Sequence, residues 1–250
     1  MDLELKGKNA LVTGGSRGIG FAIADRLTAE GCTVRLVARD AARLAAAADK
    51  LKARHGAAPL VHAADLSIGA GVETVYPLLD GVDILVNSAG DVPRGSLLDL
   101  SIEKLRAAFD VKLFATMALC REALERMAAH GGGVIVNIIG TSGEFPSPRA
   151  IPTTTVNGAL IAFTRAVGAT SVDQGVRMIG INPGIVDTDR HASAPGADEA
   201  VRRAAMAKLP FGRMARPEEV ADLAAFLASA RASYLSGAVY TIDAGQRLRV

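Results

Sequence analysis

Short unbroken apolar runs alternate along this chain with longer stretches of helical periodicity. Residues 9–13 predict a first strand and residues 18–29 a helix, closed by Gly31 as a left-handed cap. A second strand is expected over 32–38, an exposed Ala-rich helix over 41–54, a third strand near 59–64 and a helix near 70–79. The run Val82-Asp83-Ile84-Leu85-Val86 predicts a fourth strand. One long helix is predicted from Ser101 to about Met127, on an apolar stripe through Ile102, Leu105, Phe109, Leu113, Met117 and Cys120. Strands over 134–138, 176–181 and 237–242, with a helix over 217–228, complete the pattern. Strands without polar alternation are covered on both faces, so the pattern predicts a parallel α/β sheet with helices on both sides.

Composition narrows the picture. The 250 residues, 50% hydrophobic, suffice for one sizeable core, and no Pro/Ser-rich or charged linker divides them, so residues 1–250 read as a single domain. The 28 Lys and Arg against 26 Asp and Glu leave a net charge of +2, which argues against a broad nucleic-acid surface. Cys32 and Cys120 lie far apart among apolar neighbours, which predicts buried free thiols in a reducing compartment and no metal site. No stretch has the length of a signal peptide or a membrane span, so a cytoplasmic protein with no membrane partner is expected.

Candidate chemistry begins at Leu11-Val-Thr-Gly-Gly-Ser-Arg-Gly-Ile-Gly20, which joins the first strand to the first helix. Glycines at 14, 18 and 20 let the backbone turn sharply and approach a pyrophosphate, and the helix behind it presents N–H groups and the positive end of its dipole. Gly14, Ser16, Arg17, Gly18, Ile19 and Gly20 are therefore the expected phosphate contacts. At the tip of the second strand an acidic residue would accept from a ribose 2′-hydroxyl, whereas a basic one would pair with a 2′-phosphate. The chain has Ala38-Arg39 there, and Arg17 nearby, which favours NADP over NAD; Asp40 leaves NAD as the alternative. Asp65 suits the adenine amino group.

Beyond these elements the sequence resembles the short-chain dehydrogenase/reductase family. The resemblance rests on Thr13-Gly-Gly-Ser-Arg-Gly-Ile-Gly20, Asp65-Leu66, Asn87-Ser-Ala-Gly90, Asn182-Pro-Gly-Ile-Val-Asp-Thr188, Gly212-Arg-Met-Ala-Arg-Pro-Glu-Glu-Val220 and Tyr234-Leu-Ser-Gly-Ala-Val-Tyr-Thr-Ile-Asp243. It implies a Rossmann-type doubly wound sheet of seven parallel strands, a homotetramer or homodimer, and a substrate lid over 189–212. It also implies cofactor contacts from Leu66, Asn87, Ala89, Gly90, Pro183 and Gly184, with Ile185 and Thr188 holding the nicotinamide carboxamide.

The same resemblance implies a catalytic set of Asn, Ser, Tyr and Lys, and this chain substitutes all four. Lys112 stands for the Asn, Gly140 for the Ser, Thr153 for the Tyr and Asn157 for the Lys. Tyr76, Tyr234 and Tyr240 are remote in sequence from this helix. A threonine hydroxyl has no acidity in the useful range, so the family's proton delivery to a developing alkoxide does not run unchanged. The exchange of Asn and Lys between positions 112 and 157 suggests that a cation returns from the other side, with Asn157 still bonding the ribose; a Lys112 that snorkels to water is the alternative. Glu144 and His191 are the other candidate acids, each also readable as a solvated loop residue. The expected function is an NADP(H)-dependent oxidoreductase with an altered proton relay, acting on a carbonyl, alcohol or enone. A catalytically silent dinucleotide-binding sensor or partner subunit is the alternative.

Overall fold

The computed structural model describes residues 1–189 and 206–248. Its strands are β1 (Asn9–Thr13), β2 (Thr33–Ala38), β3 (Leu60–Ala63), β4 (Ile84–Asn87), β5 (Gly133–Ile138), β6 (Val176–Pro183) and β7 (Val239–Ile242). All pair in parallel, in the order β3-β2-β1-β4-β5-β6-β7. The chain starts at β1, winds outward to β3, returns to β4 and winds the other way. The reversal between β1 and β4 opens a crevice at the carboxyl ends of the strands.

The strands are apolar throughout because each feeds two cores. Leu11, Leu85 and Ile135 point to one face, while Val12, Val86 and Val136 point to the other. Helices α1 (Gly18–Ala29), α2 (Ala41–His55) and α7 (Pro217–Ala228) cover the second face, with α1 packed along α7. The first face is covered by α3 (Gly69–Glu73), α5 (Ala115–Ala129) and α6 (Ile151–Thr170). Gly31 takes φ +84° just beyond α1, as its cap position predicts.

Two predicted helices are broken in the structure. The helix expected near 70–79 divides into α3 and a 3₁₀ turn at Tyr76–Leu79, because Pro77 has no N–H to continue the ladder. The single helix expected from Ser101 to Met127 is α4 (Ile102–Phe109), a π-helical turn at Asp110–Phe114 and then α5. A π turn inserts residues into the 3.6-residue period and rotates the helix beyond it. The predicted stripe therefore does not stay on one face: Leu113 and Cys120 are buried, but Ile102 is 57% exposed and Met117 37%.

Polar side chains also enter the core. Asn87 Nδ2 donates to Asn137 Oδ1 at 2.9 Å, and Asn137 Nδ2 donates to Thr164 Oγ1 at 3.0 Å, tying β4, β5 and α6 together. Both cysteines are free and buried; burial raises the thiol of Cys32 to about 11 and that of Cys120 to about 12, which keeps both protonated and unreactive. Asn137→Ala should lower stability by about 1–3 kcal/mol, because it takes the acceptor from the buried Asn87 donor on β4 and the donor from the buried Thr164 hydroxyl on α6. Urea denaturation of the two proteins would measure the loss.

Candidate active site

A cleft of ≈1230 Å³ runs along the carboxyl edge of the sheet. At its centre, Thr13 Oγ1 accepts from Ser88 N at 3.1 Å and Ala89 N at 3.2 Å, joining the end of β1 to the end of β4. The turn after β1 lies so close to this junction that a Cβ on Gly14 would stand 2.8 Å from the Ser88 carbonyl oxygen, and Gly14 takes φ +67°. Arg17 precedes α1 without a side-chain cap, so the first-turn N–H groups keep their capacity for an anion. A bare glycine cradle and an uncapped helix start facing one cleft are what a pyrophosphate requires, and the residues present fit a dinucleotide.

The end of the cleft beside β2 is basic. Asp40 is engaged at the start of α2: Oδ1 accepts from Arg43 N at 3.0 Å and Oδ2 pairs with Arg43 Nε at 3.3 Å. Arg39 and Arg43 line the cleft beside it. Asp65 accepts from Ser67 N and Oγ at 3.0 and 2.7 Å, and these bonds, with Arg39 adding a smaller effect, hold its carboxyl below the usual range. Arg17 and Asp91 form an exposed ion pair at 3.5 Å.

The other end brings together the four substituted positions. Lys112 lies in the π turn, 7% exposed, with its ammonium donating to the Ile139 carbonyl and to Asn157 Oδ1, both at 2.7 Å. It does not snorkel. Its stem crosses Gly90, where a Cβ would be 2.8 Å from the lysine Cγ and Cδ. Asn157 Nδ2 in turn donates to Ser142 Oγ at 2.9 Å and to the Gly140 carbonyl at 3.3 Å. Thr153 lies one helical turn before Asn157 in the cleft wall, and its hydroxyl oxygen is buried with no hydrogen-bond partner. Gly140 takes φ +131°, and a Cβ there would stand 2.8 Å from Asn157 Nδ2. The glycine thus makes room for the asparagine.

Of the expected cofactor residues, Gly14, Ser16, Arg17, Gly18, Ile19, Gly20, Arg39, Asp65, Leu66, Ala89, Gly90, Asn157, Pro183, Gly184, Ile185 and Thr188 all line the cleft. The structure places Asn87 elsewhere: its side chain bonds Asn137 and Cys120 inside the sheet and does not reach the cleft wall. Ile185 O accepts from Ala215 N at 2.9 Å, and Ala215 O accepts from Asp187 N at 2.8 Å, so a single bridge residue before α7 braces the segment after β6. Glu144 turns from the cleft toward Arg165 at 3.2 Å and Arg247 at 3.5 Å. His191, with most of the segment 189–212, lies outside the described residues. None of the three tyrosines lines the cleft; Tyr76 packs under α5, Tyr240 against the α1 face, and Tyr234 is fully exposed.

Sequence reasoning missed Ser142, the Ile139 carbonyl and Asn182. Ser142 was legible as a hydroxyl two residues after Gly140. Asn182 Oδ1 accepts from Gly140 N at 3.3 Å, while its Nδ2 is buried without a partner. No pattern marks the Ile139 carbonyl, because every residue carries one.

Comparisons with known proteins agree with this architecture. Residues 14–247 match the family model described as enoyl-(acyl carrier protein) reductase. A 3-oxoacyl-[acyl-carrier-protein] reductase FabG from Aquifex aeolicus is 32% identical over 251 residues, covering 98% of this chain and 99% of that protein. The structure of L-sorbose reductase from Gluconobacter frateurii, complexed with NADPH and L-sorbose, superposes with a TM-score of 0.92 at 31% identity over 100% of both chains. That of a 3-oxoacyl (acyl-carrier-protein) reductase from Agrobacterium tumefaciens with NADP bound gives 0.91 at 30% identity, covering 97% of this chain and 95% of that one. The chain belongs to the short-chain dehydrogenase/reductase family. Within it, the relatives that resemble it are reductases and dehydrogenases of several different substrates.

Gly140→Ser should destabilise the protein by about 1–3 kcal/mol, since a side chain at this φ is strained and also meets Asn157. Adding Asn157→Ala should remove the steric part only, so a double-mutant cycle followed by chemical denaturation should show losses that are less than additive.

Proposed function

We propose that the protein is an NADP(H)-dependent oxidoreductase that acts on a carbonyl, alcohol or enone through a proton relay rebuilt around Lys112. The observation that carries this reading is the ammonium of Lys112, buried at the cleft and hydrogen-bonded at 2.7 Å to Asn157. Bound NADPH supplies a hydride. The glycine turn and the start of α1 would hold its pyrophosphate, Arg39 its 2′-phosphate, Asp65 its adenine, and Ile185 and Thr188 its carboxamide, while Asn157, buried and bonded to Lys112, Ser142 and Gly140, would act by holding Lys112.

The remaining requirement is stabilisation of negative charge on the substrate oxygen. Lys112 brings its amine to the place where the family resemblance puts the neutral Asn, and Asn157 takes the place of the Lys. The ammonium fixes the Asn157 amide with its oxygen toward Lys112, which turns its Nδ2 toward Gly140 and Ser142. Thr153 carries the hydroxyl suited to hold the substrate oxygen, although it is too weak an acid to protonate it alone. An enone or quinone-type acceptor demands less of an acid at that oxygen, so such acceptors fit this site better than a simple ketone does. The exposed Ile102 on α4, Phe114 in the π turn and Met117 on α5 fit burial in a homo-oligomer, and two free buried thiols fit a reducing, cytoplasmic compartment.

NADPH fluorescence titration, followed by a panel of ketones, enones and quinones at the reduced-nicotinamide absorbance, tests the reading. Turnover of at least one class should appear, and Lys112→Met should reduce it by about a hundredfold or more, the loss expected for one electrostatic group at an oxyanion. NADPH binding without turnover of any acceptor would return the silent reading. Arg39→Ala should weaken NADPH by about tenfold while leaving NADH affinity nearly unchanged, as loss of one charge-assisted phosphate contact requires; paired titrations would measure the ratio.

A further inference from the structure

One hydroxyl in the cleft wall has a proton to spare. The 3₁₀ turn at Thr141–Gly143 follows β5 and is fastened to both β6 and α6. Asn182 Oδ1 accepts from Gly140 N at 3.3 Å, and Thr141 O accepts from Glu144 N at 3.1 Å and Phe145 N at 2.9 Å. Gly143 lies so close to α6 that a Cβ there would stand 2.7 Å from the Asn157 carbonyl carbon. The turn therefore sets Ser142 against Asn157, among the residues that line the cleft.

Hydrogen-bond chemistry decides which partner donates. The Gly140 carbonyl can only accept, so the Asn157 atom at 3.3 Å from it is the amide nitrogen, and the amide oxygen is the atom that meets Lys112 Nζ at 2.7 Å. The nitrogen carries two protons. One is directed to the Gly140 carbonyl and the other to Ser142 Oγ at 2.9 Å, so the serine oxygen accepts. Its own proton is left to donate, and among the described residues it has no acceptor. Lys112, Asn157 and Ser142 thus form a head-to-tail series in which each bond polarises the next, which strengthens the terminal hydroxyl as a donor. Ser142 is half-buried, so solvent screens that donor less than it would at an open surface. We infer that Ser142 is a further catalytic residue, whose hydroxyl donates a hydrogen bond to the reacting oxygen of the substrate, with Asn157 as the positioning residue behind it. The hydroxyl keeps its proton: an amide passes none along the series, so the contribution is electrostatic, to negative charge on that oxygen. The inference rests on the oxidoreductase reading for that charge, but the hydrogen bond itself needs no turnover.

Ser142→Ala and Ser142→Thr are compared with the unaltered protein in two measurements. With NADPH and cyclohexanone, 2-cyclohexenone or menadione, Ser142→Ala should lower kcat by about a hundredfold for any acceptor the protein reduces, the loss expected for one donor at an oxyanion. Ser142→Thr should restore most of it, and NADPH affinity should be nearly unchanged in both. The second measurement is the carbonyl stretch of isotope-labelled cyclohexanone and 2-cyclohexenone bound to the NADP-saturated protein, read by infrared difference spectroscopy. A hydrogen bond weakens the C=O bond, so the band should lie lower in the unaltered protein and in Ser142→Thr than in Ser142→Ala. Asn157→Ala should also raise the band, and should add little once Ser142 is replaced by alanine. If Ser142→Ala loses NADPH affinity, Ser142→Cys, whose thiol is a weak donor, carries the same comparisons. No turnover by the unaltered protein, with a band that still rises in Ser142→Ala, would keep the hydrogen bond and reject the oxidoreductase reading. A band that Ser142→Ala does not move, a kcat that it does not lower, or no bound carbonyl compound at all would overturn the inference.

Discussion

A buried ammonium is tolerated only where its charge is met by well-placed oxygen, and Lys112 meets that requirement through the Ile139 carbonyl and Asn157. Those two bonds tie the π turn to the end of β5 and to the first turns of α6, the three elements that bound this end of the cleft. Other local features are consequences of seating this side chain. The π turn places residue 112 beside the cleft, Gly90 leaves space for its stem, and Gly140 leaves space for the amide that receives it. Positions 90, 112, 140 and 157 therefore form one packing unit, so a change at any of them is felt at the others.

The sheet supplies the frame on which that unit is mounted. Its winding reverses between β1 and β4, and the carboxyl ends of the central strands deliver their loops to one crevice. Thr13 closes the junction, and the buried amides of Asn87 and Asn137 hold β4 and β5 in register beneath it. The polar bonds inside the sheet and those at its edge divide the labour: the first stiffen the floor, and the second leave backbone N–H groups and basic side chains for anions. Positive charge is then distributed along the whole crevice, from Arg39 and Arg43 at one end to Arg94 and Arg149 at the other.

Much of this was legible in the residues. Unbroken apolar strands identified a parallel sheet because each strand feeds two cores, as Leu85 and Val86 do from adjacent positions. The glycine turn was legible as a bare backbone, and the structure brings it against Ser88 at the end of β4. The boundaries of α3 and the interruption of the long helix were not legible in the stripe, because 3.6-residue periodicity continues to look plausible across a single π turn. The motif around Asn87 points to the cleft, whereas the pleat at the end of β4 turns that side chain into the sheet.

The sequence by itself determined the layered α/β architecture, the dinucleotide cradle and the absence of tyrosine from position 153, since these depend on residue type, short-range periodicity and the nearest neighbours in the chain. Tertiary structure alone decided that Lys112 faces inward, that Asn157 receives it, and that Gly95 bridges to Ala150. Each of these is a contact between segments far apart in the chain, and its geometry is set by the packing of whole elements, which no local pattern records.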